Sequence, residues 1–222
     1  MANDLLVCNL GTVEYTEAAA LQERLREQVI AGELPDLMLL LEHPPVYTVG
    51  RRSEEDELPQ GSFGIDVVRT PRGGKLTYHG PGQLVGYPIM HVASVPEYIL
   101  TMERAIVTAL GRAGIEAETR LGHKHVGVWV GERKIASVGV HLSHGVSSHG
   151  FAVNVDNDLD PFTWVVACGL PDVQMTSMAA EGASEGVACF RKRMGHAFCE
   201  AFGVRQRLIS PQRLGIEQPV PA

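Results

Sequence analysis

No stretch of this chain approaches the roughly 18 consecutive apolar residues that a membrane-spanning helix needs. The N-terminal Met-Ala-Asn-Asp lacks the basic-then-apolar order of a secretory signal. A cytoplasmic protein with no membrane association is therefore expected. Cysteine is sparse: Cys8, Cys168, Cys189 and Cys199 show neither CxxC zinc pairing nor the density of a disulfide scaffold. Free thiols are the expectation. Positive charge is short too, and a net charge of −7 argues against general affinity for nucleic acid. No internal repeat, linker or second composition regime divides the 222 residues. With 45% hydrophobic and 20% charged residues, they are enough for one domain with a sizeable core.

The basic residues present are clustered, at Arg51-Arg52, at Arg69, Arg72 and Lys75, at Arg133-Lys134, and at Arg191-Lys-Arg193. Clusters that met in space would form a local positive patch for an acidic partner. Solvated basic residues scattered over an acidic surface are the alternative.

Hydrophobic periodicity lays out the elements. Leu5–Leu10 reads as a strand, and Ala18, Leu21, Leu25 and Val29 as one face of a helix ending near Gly32. Leu37–Leu41 is a short apolar run, a buried strand; Glu42-His-Pro-Pro45 breaks it and Val46–Val49 resumes extended structure. Ser94-Val-Pro-Glu97 has capping-box spacing and a first-turn proline, with Ile99, Met102, Ile106 and Leu110 as the buried face. Val126–Val130 and Ile135–Val140 flank Gly131–Lys134 as a hairpin, and Gly150–Val155 is another strand. Asp156–Pro161 reads as a polar turn and Phe162–Val166 as an apolar strand leading to Cys168. A last helix after Ser184 buries Val187, Phe190, Met194 and Phe198. Hairpins lie between the helices, with no steady βαβ alternation. This predicts an α+β fold, one domain over residues 1–210, with a mixed or antiparallel sheet flanked by helices and a loosely attached tail over 211–222.

The least core-like stretch is Arg69–Leu84, where Gly73, Gly74, Gly80, Gly82 and Pro81 lie among Arg72, Thr77, Tyr78, His79 and Gln83. Glycines let backbone N–H groups approach a ligand, and a loop carried between apolar strands is a usual binding site. It is no phosphate loop: Leu76 follows Lys75 where Ser or Thr is required. A lone GxG is equally weak evidence for a dinucleotide. His123-x-His125 and His141-x-x-His144 lack acidic or thiol ligands at convincing spacing, so no metal is expected. His141, His144 and His149 read as solvated loop residues. Cys8, Cys189 and Cys199 fall in a strand or helix as small buried hydrophobes. Cys168, before Gly169-Leu-Pro171, admits two readings, a buried structural residue or a nucleophile at a strand-to-turn junction. Lys134 likewise reads as an ordinary turn lysine or as the group that helps a thiol ionise.

Together these residues resemble the lipoyl(octanoyl) transferase family. The likeness is carried by Glu42–Gly50, Arg72–Gln83 with its His-Gly-Pro-Gly-Gln, Arg133–Gly139, His149–Asn154, and Ala167-Cys-Gly169 with Thr176-Ser177. It spans about Leu10 to Val204. It implies a domain like that of the biotin and lipoate protein ligases, and an acyltransferase without a cofactor; a monomer is expected because the sequence shows no obvious apolar surface stripe. The donor would be octanoyl-acyl carrier protein. The acceptors would be lipoyl domains of 2-oxo acid dehydrogenase complexes and the glycine cleavage H protein. By that likeness Cys168 is the acyl-thioester nucleophile and Lys134 lowers its pKa. Arg72, Gly73, Gly74, Lys75, Leu76, Thr77, Tyr78 and His79 would line the acyl and pantetheine channel. Ser137, Val138 and Gly139, with Gly150, Phe151 and Ala152, would complete it. Small residues such as Gly73, Gly74, Gly139 and Ala152 would leave a slot for the acyl tail. An ATP-dependent lipoate ligase on the same scaffold, a non-catalytic lipoyl-domain docking module and a thiol hydrolase are the rivals.

Overall fold

The computed structural model describes residues 3–53, 64–120, 122, 125–165 and 173–216. Cys168, with the rest of the Ala167-Cys-Gly169 block, and His123 lie outside the described residues.

The apolar runs become the inner strands of an eight-stranded mixed sheet. Its strands are β1 (Asp4–Thr12), β2 (Leu37–Glu42), β6 (Gln83–Ile89), β7 (Glu118–Thr119), β8 (Val128–Val130), β9 (Arg133–Ser143), β10 (Val146–Asn154) and β11 (Arg205–Ile209). The spatial order is β11-β1-β2-β6-β10-β9-β8-β7. β1 runs parallel to both β2 and β11, and the other pairs are antiparallel. A three-stranded sheet of β3 (Val46–Val49), β4 (Asp66–Arg69) and β5 (Thr77–His79) has the order β4-β3-β5. The helices are α1 (Tyr15–Ile30), α2 (Val95–Gly111) and α3 (Val187–Ala201).

β2 shows why its sequence is continuously apolar. Leu37, Leu39 and Leu41 pack with Ala18, Leu25 and Val29 of α1, while Met38 and Leu40 face the opposite core with α2 and α3. Alternate side chains leave opposite faces of a strand, so a strand covered on both sides needs both sets apolar. At about 25 cal/mol per Å² of apolar surface, these two layers supply most of the drive to fold. A third, smaller core of Tyr47, Val49, Leu76, Tyr78 and Phe162 lies by the small sheet.

Several expectations change. Tyr98 is buried on α2 and Ile99 only partly, and Ser94 makes no side-chain cap. Asp160–Trp164 is a 3-10 turn, not part of a strand. His141 and His149 belong to β9 and β10, with His144 in the turn between them; His149 is buried. The Gly/Ser content there marks a long hairpin rather than a loop. Cys189 is exposed on α3, whereas Cys8 and Cys199 are buried as expected. The tail boundary also moves: Pro211–Leu214 forms a 3-10 turn, Leu214 is buried in the α1-side core, and Arg24 donates to its carbonyl at 3.2 Å. Among the described residues, no helix is long and apolar enough to cross a membrane.

Candidate active site

The glycine-rich loop lies over β9 and is held by its own arginine. Arg72 is buried; its Nη2 donates to the Thr48 carbonyl at 2.6 Å and to Thr48 Oγ1 at 2.7 Å, and its Nη1 donates to the Gly73 carbonyl at 3.0 Å. Backbone bonds finish the clamp: Gly73 N–H to Val140 O at 2.9 Å, Arg51 N–H to Arg72 O at 3.0 Å, and Arg52 N–H to Gly74 O at 3.1 Å. Two of the basic clusters thus meet here. Much of the remaining positive charge is neutralised, since Arg133, Arg191 and Arg193 pair with Glu181, Glu42 and Glu185.

Beneath the loop, Ser137 faces Ala152 and Gly139 faces Gly150 across β9 and β10. The intervening Val138 and Phe151 turn toward the α2/α3 core, and Leu76 and Tyr78 enter the third core. A Cβ at Gly139 would stand 2.9 Å from the Gly73 carbonyl oxygen. The room left by this glycine is therefore filled by the loop backbone, which corrects the expected open slot at that position. At Gly150 the place of a Cβ is taken by Gly86 O of the neighbouring strand, at 2.3 Å. Close backbone approach is the reason for both glycines.

The His-Gly-Pro-Gly-Gln turn is braced internally and pinned by Glu42 and Asn154. Gly82, at φ +85°, donates its N–H to Glu42 Oε2 at 3.0 Å. His79 Nδ1 meets Gln83 Oε1 at 2.7 Å, and Gln83 Nε2 donates to Asn154 Oδ1 at 2.9 Å. Asn154 Nδ2 donates to the Thr176 carbonyl at 2.9 Å, while Thr176 N–H donates to the Lys134 carbonyl at 2.9 Å. One chain of hydrogen bonds thus joins blocks far apart in sequence. His43 packs beside His79, ring centroids 5.6 Å apart, and is bonded to the Val13 carbonyl and the Tyr87 hydroxyl at 2.6 and 2.7 Å. Burial pushes His79 well below the usual histidine range, His43 down to about 4 and His149 down to about 3. All three stay neutral near pH 7, so they act here as neutral hydrogen-bonding or packing groups.

Lys134 is buried at 3% exposure where β9 leaves the Gly131 turn. Its backbone pairs with Gln174–Thr176, and its Nζ donates to the Val126 carbonyl at 2.9 Å and lies 5.4 Å from the Trp129 ring centroid. A Cβ at Gly127 would meet Lys134 Cε at 2.6 Å, so this glycine at φ +133° admits the side chain. Among the described residues the Val126 carbonyl is the hydrogen-bond acceptor for this buried amine, a costly placement for a lysine that served structure alone.

Sequence reasoning left out Glu103, Thr48 and Asn154 as separate site residues. For Glu103 a signal existed. It stands three residues before Ile106 and seven before Leu110, so a carboxylate occupies a core-facing position of α2.

The model of the lipoyl protein ligase A/B catalytic domain matches residues 14–199. The chain belongs to that family. Among its curated relatives are an octanoyltransferase of Mycobacterium ulcerans, 43% identical over 88% of this chain and 87% of the relative, and one of Solibacter usitatus, 46% identical over 87% and 90%. The solved bipartite lipoate protein ligase of Thermoplasma acidophilum, 20% identical, superposes with a TM-score of 0.72 over 96% of this chain and 90% of that one. That likeness establishes the family's α+β fold for this chain.

Proposed function

We propose that this protein transfers an octanoyl group from octanoyl-acyl carrier protein to the target lysine of lipoyl domains, through a thioester on Cys168. Identity of 43–46% to octanoyltransferases over nearly the whole chain carries the reading. The burial of Lys134, its backbone tied by Thr176 and Asn154 to the glycine loop, supports it. The lipoyl domain as acceptor is supported by the Thermoplasma lipoylation system, in which the ligase is paired with its E2 lipoyl domain. Lipoyl domains of 2-oxo acid dehydrogenase complexes and the glycine cleavage H protein are the acceptors of that class.

The chemistry has two halves. The Cys168 thiolate attacks the donor thioester carbonyl; the tetrahedral oxyanion collapses, and the carrier's pantetheine thiolate leaves and takes a proton. The acceptor's neutral lysine amine then attacks the enzyme thioester. The C–S bond breaks, an amide forms, and the amine's surplus proton passes to the departing Cys168 thiolate or to Lys134. Lys134 as a cation favours the thiolate, and as a neutral amine it accepts the proton. Arg72–His79, Ser137–Gly139 and Gly150–Ala152 are the segments we assign to the acyl and pantetheine path.

The test is transfer to a purified lipoyl domain from octanoyl-acyl carrier protein without ATP, beside octanoate with ATP. Modification in the first mixture alone is expected. Modification in the second alone would replace this reading with an ATP-dependent ligase.

A further inference from the structure

The Val126–Gly127 peptide lies between two buried charged side chains. On one side its carbonyl accepts from Lys134 Nζ at 2.9 Å. On the other its N–H donates to Glu103 Oε1 at 2.6 Å, a short bond of the charge-assisted kind. Carbonyl and N–H of a trans peptide point in opposite directions, so ammonium, peptide and carboxylate form a continuous line. Each hydrogen bond in such a line polarises the next, more strongly in a water-poor interior than in solvent. Glu103 is buried at 4% exposure on α2, far from the glycine loop in sequence. Burial pushes its carboxyl up, while the Gly127 N–H and the charge of Lys134 pull it back.

We propose that Glu103 is a positioning residue for Lys134: through the Val126–Gly127 peptide its charge fixes the place of Nζ. This rests on the acid–base role given to Lys134 above. The surroundings leave Glu103 as the carboxylate facing it among the described residues. The neighbouring Arg133 pairs with Glu181, whose other oxygen accepts from Thr176. Arg120, 4.7 Å over the Trp129 ring, pairs with Glu118 and Glu132. His125 contributes its carbonyl to Trp129 Nε1 at 2.9 Å.

Glu103→Gln is the discriminating variant, because its amide oxygen still accepts from Gly127 while the charge is gone. The protein is labelled with ¹³Cε-lysine, and the Lys134 signal is assigned by its loss in Lys134→Arg. The expected result is a displaced Lys134 ¹³Cε signal at pH 7 and a kcat lowered roughly tenfold or more, with KM for octanoyl-acyl carrier protein little changed. Glu103→Asp, which keeps the charge on a shorter arm, should return both toward the wild-type values. An unmoved Lys134 signal with wild-type kcat in folded Glu103→Gln overturns the proposal. So does a Glu103→Asp variant no nearer wild type than Glu103→Gln. Failure of the catalytic reading looks different: octanoyl transfer would survive Lys134→Met, while the displaced ¹³Cε signal in Glu103→Gln still appeared.

Discussion

Gln83 and Asn154 are cross-strand partners on β6 and β10, and their side-chain amides are hydrogen-bonded at 2.9 Å. Through them the glycine-rich turn is fastened to Thr176 and so to the backbone of Lys134. Asn154→Ala takes the donor away from the buried Thr176 carbonyl and leaves Gln83 Nε2 with the Tyr78 carbonyl alone, at 3.2 Å. We expect a loss of about 1–3 kcal/mol, the range for a buried polar group left without its partner, measured by urea denaturation. A misplaced Lys134 should also lower kcat by roughly ten- to hundredfold. Wild-type kcat in a stably folded Asn154→Ala would show that the chain does not position the site.

The loop's clamp depends on a glycine outside it. A Cβ at Gly50 would stand 2.4 Å from the Gly74 carbonyl oxygen and 2.8 Å from Arg72 Nη1. Gly50→Ala should therefore displace the loop, costing about 1–3 kcal/mol as overpacked sites do. Its kcat/KM should fall with it. Gly111→Ala is the control: its Cβ meets nothing within 4 Å, at the end of α2. Thermal melts of the two variants should move in opposite directions, since alanine in a helix is favoured over glycine by about 0.5–1 kcal/mol.

Acid should destabilise this protein early. His43 and His149 titrate at about 4 and about 3 in the folded chain and near 6.5 when unfolded. Below pH 6.5 the unfolded chain binds protons that the folded chain refuses. Stability is thus fully present above about 6.5 and is lost as pH falls toward 4 and then 3. His79 acts in the same direction, and Glu103, with its carboxyl pushed up, works against the trend. Tm measured from pH 7 to pH 4 should fall, and His149→Gln should flatten the slope. Equal slopes would show that His149 does not carry its share.

Thiol reactivity separates the described cysteines. Burial pushes Cys8 and Cys199 up to about 11, whereas Cys189 is exposed on α3. In native protein at neutral pH, iodoacetamide should label Cys189 within minutes. Cys8 and Cys199 should react only after denaturation, as peptide mass mapping would report. Rapid native labelling of Cys8 would contradict the packed α1-side core.

Much of the fold was legible because periodicity reports burial directly. The unbroken run Leu37–Leu41 marked a strand covered on both faces, and Val187, Phe190, Met194 and Phe198 marked one face of α3. What escaped depends on tertiary partners. Arg205–Ile209 carries alternating charge and is a strand because it lies parallel to β1 at the sheet edge. His149 looked like loop chemistry, yet Gln22 Oε1 accepts its N–H at 2.7 Å and holds it inside at φ +57°. Among the site residues, the blocks were recognisable as sequence, but not which side chains turn inward. Val138 and Phe151 alternate into the core for the ordinary reason that strand neighbours face opposite ways. Glu103 carried a readable signal, a charge in an apolar helical period, whose meaning needed the Val126–Gly127 peptide.

The most direct test of the account is intact mass of the protein incubated with octanoyl-acyl carrier protein and no acceptor, beside Cys168→Ala. One hydroxylamine-labile octanoyl adduct is expected on the wild type and none on the variant. Absence of the adduct from folded wild type with a demonstrably active donor, or its persistence in Cys168→Ala, would contradict it.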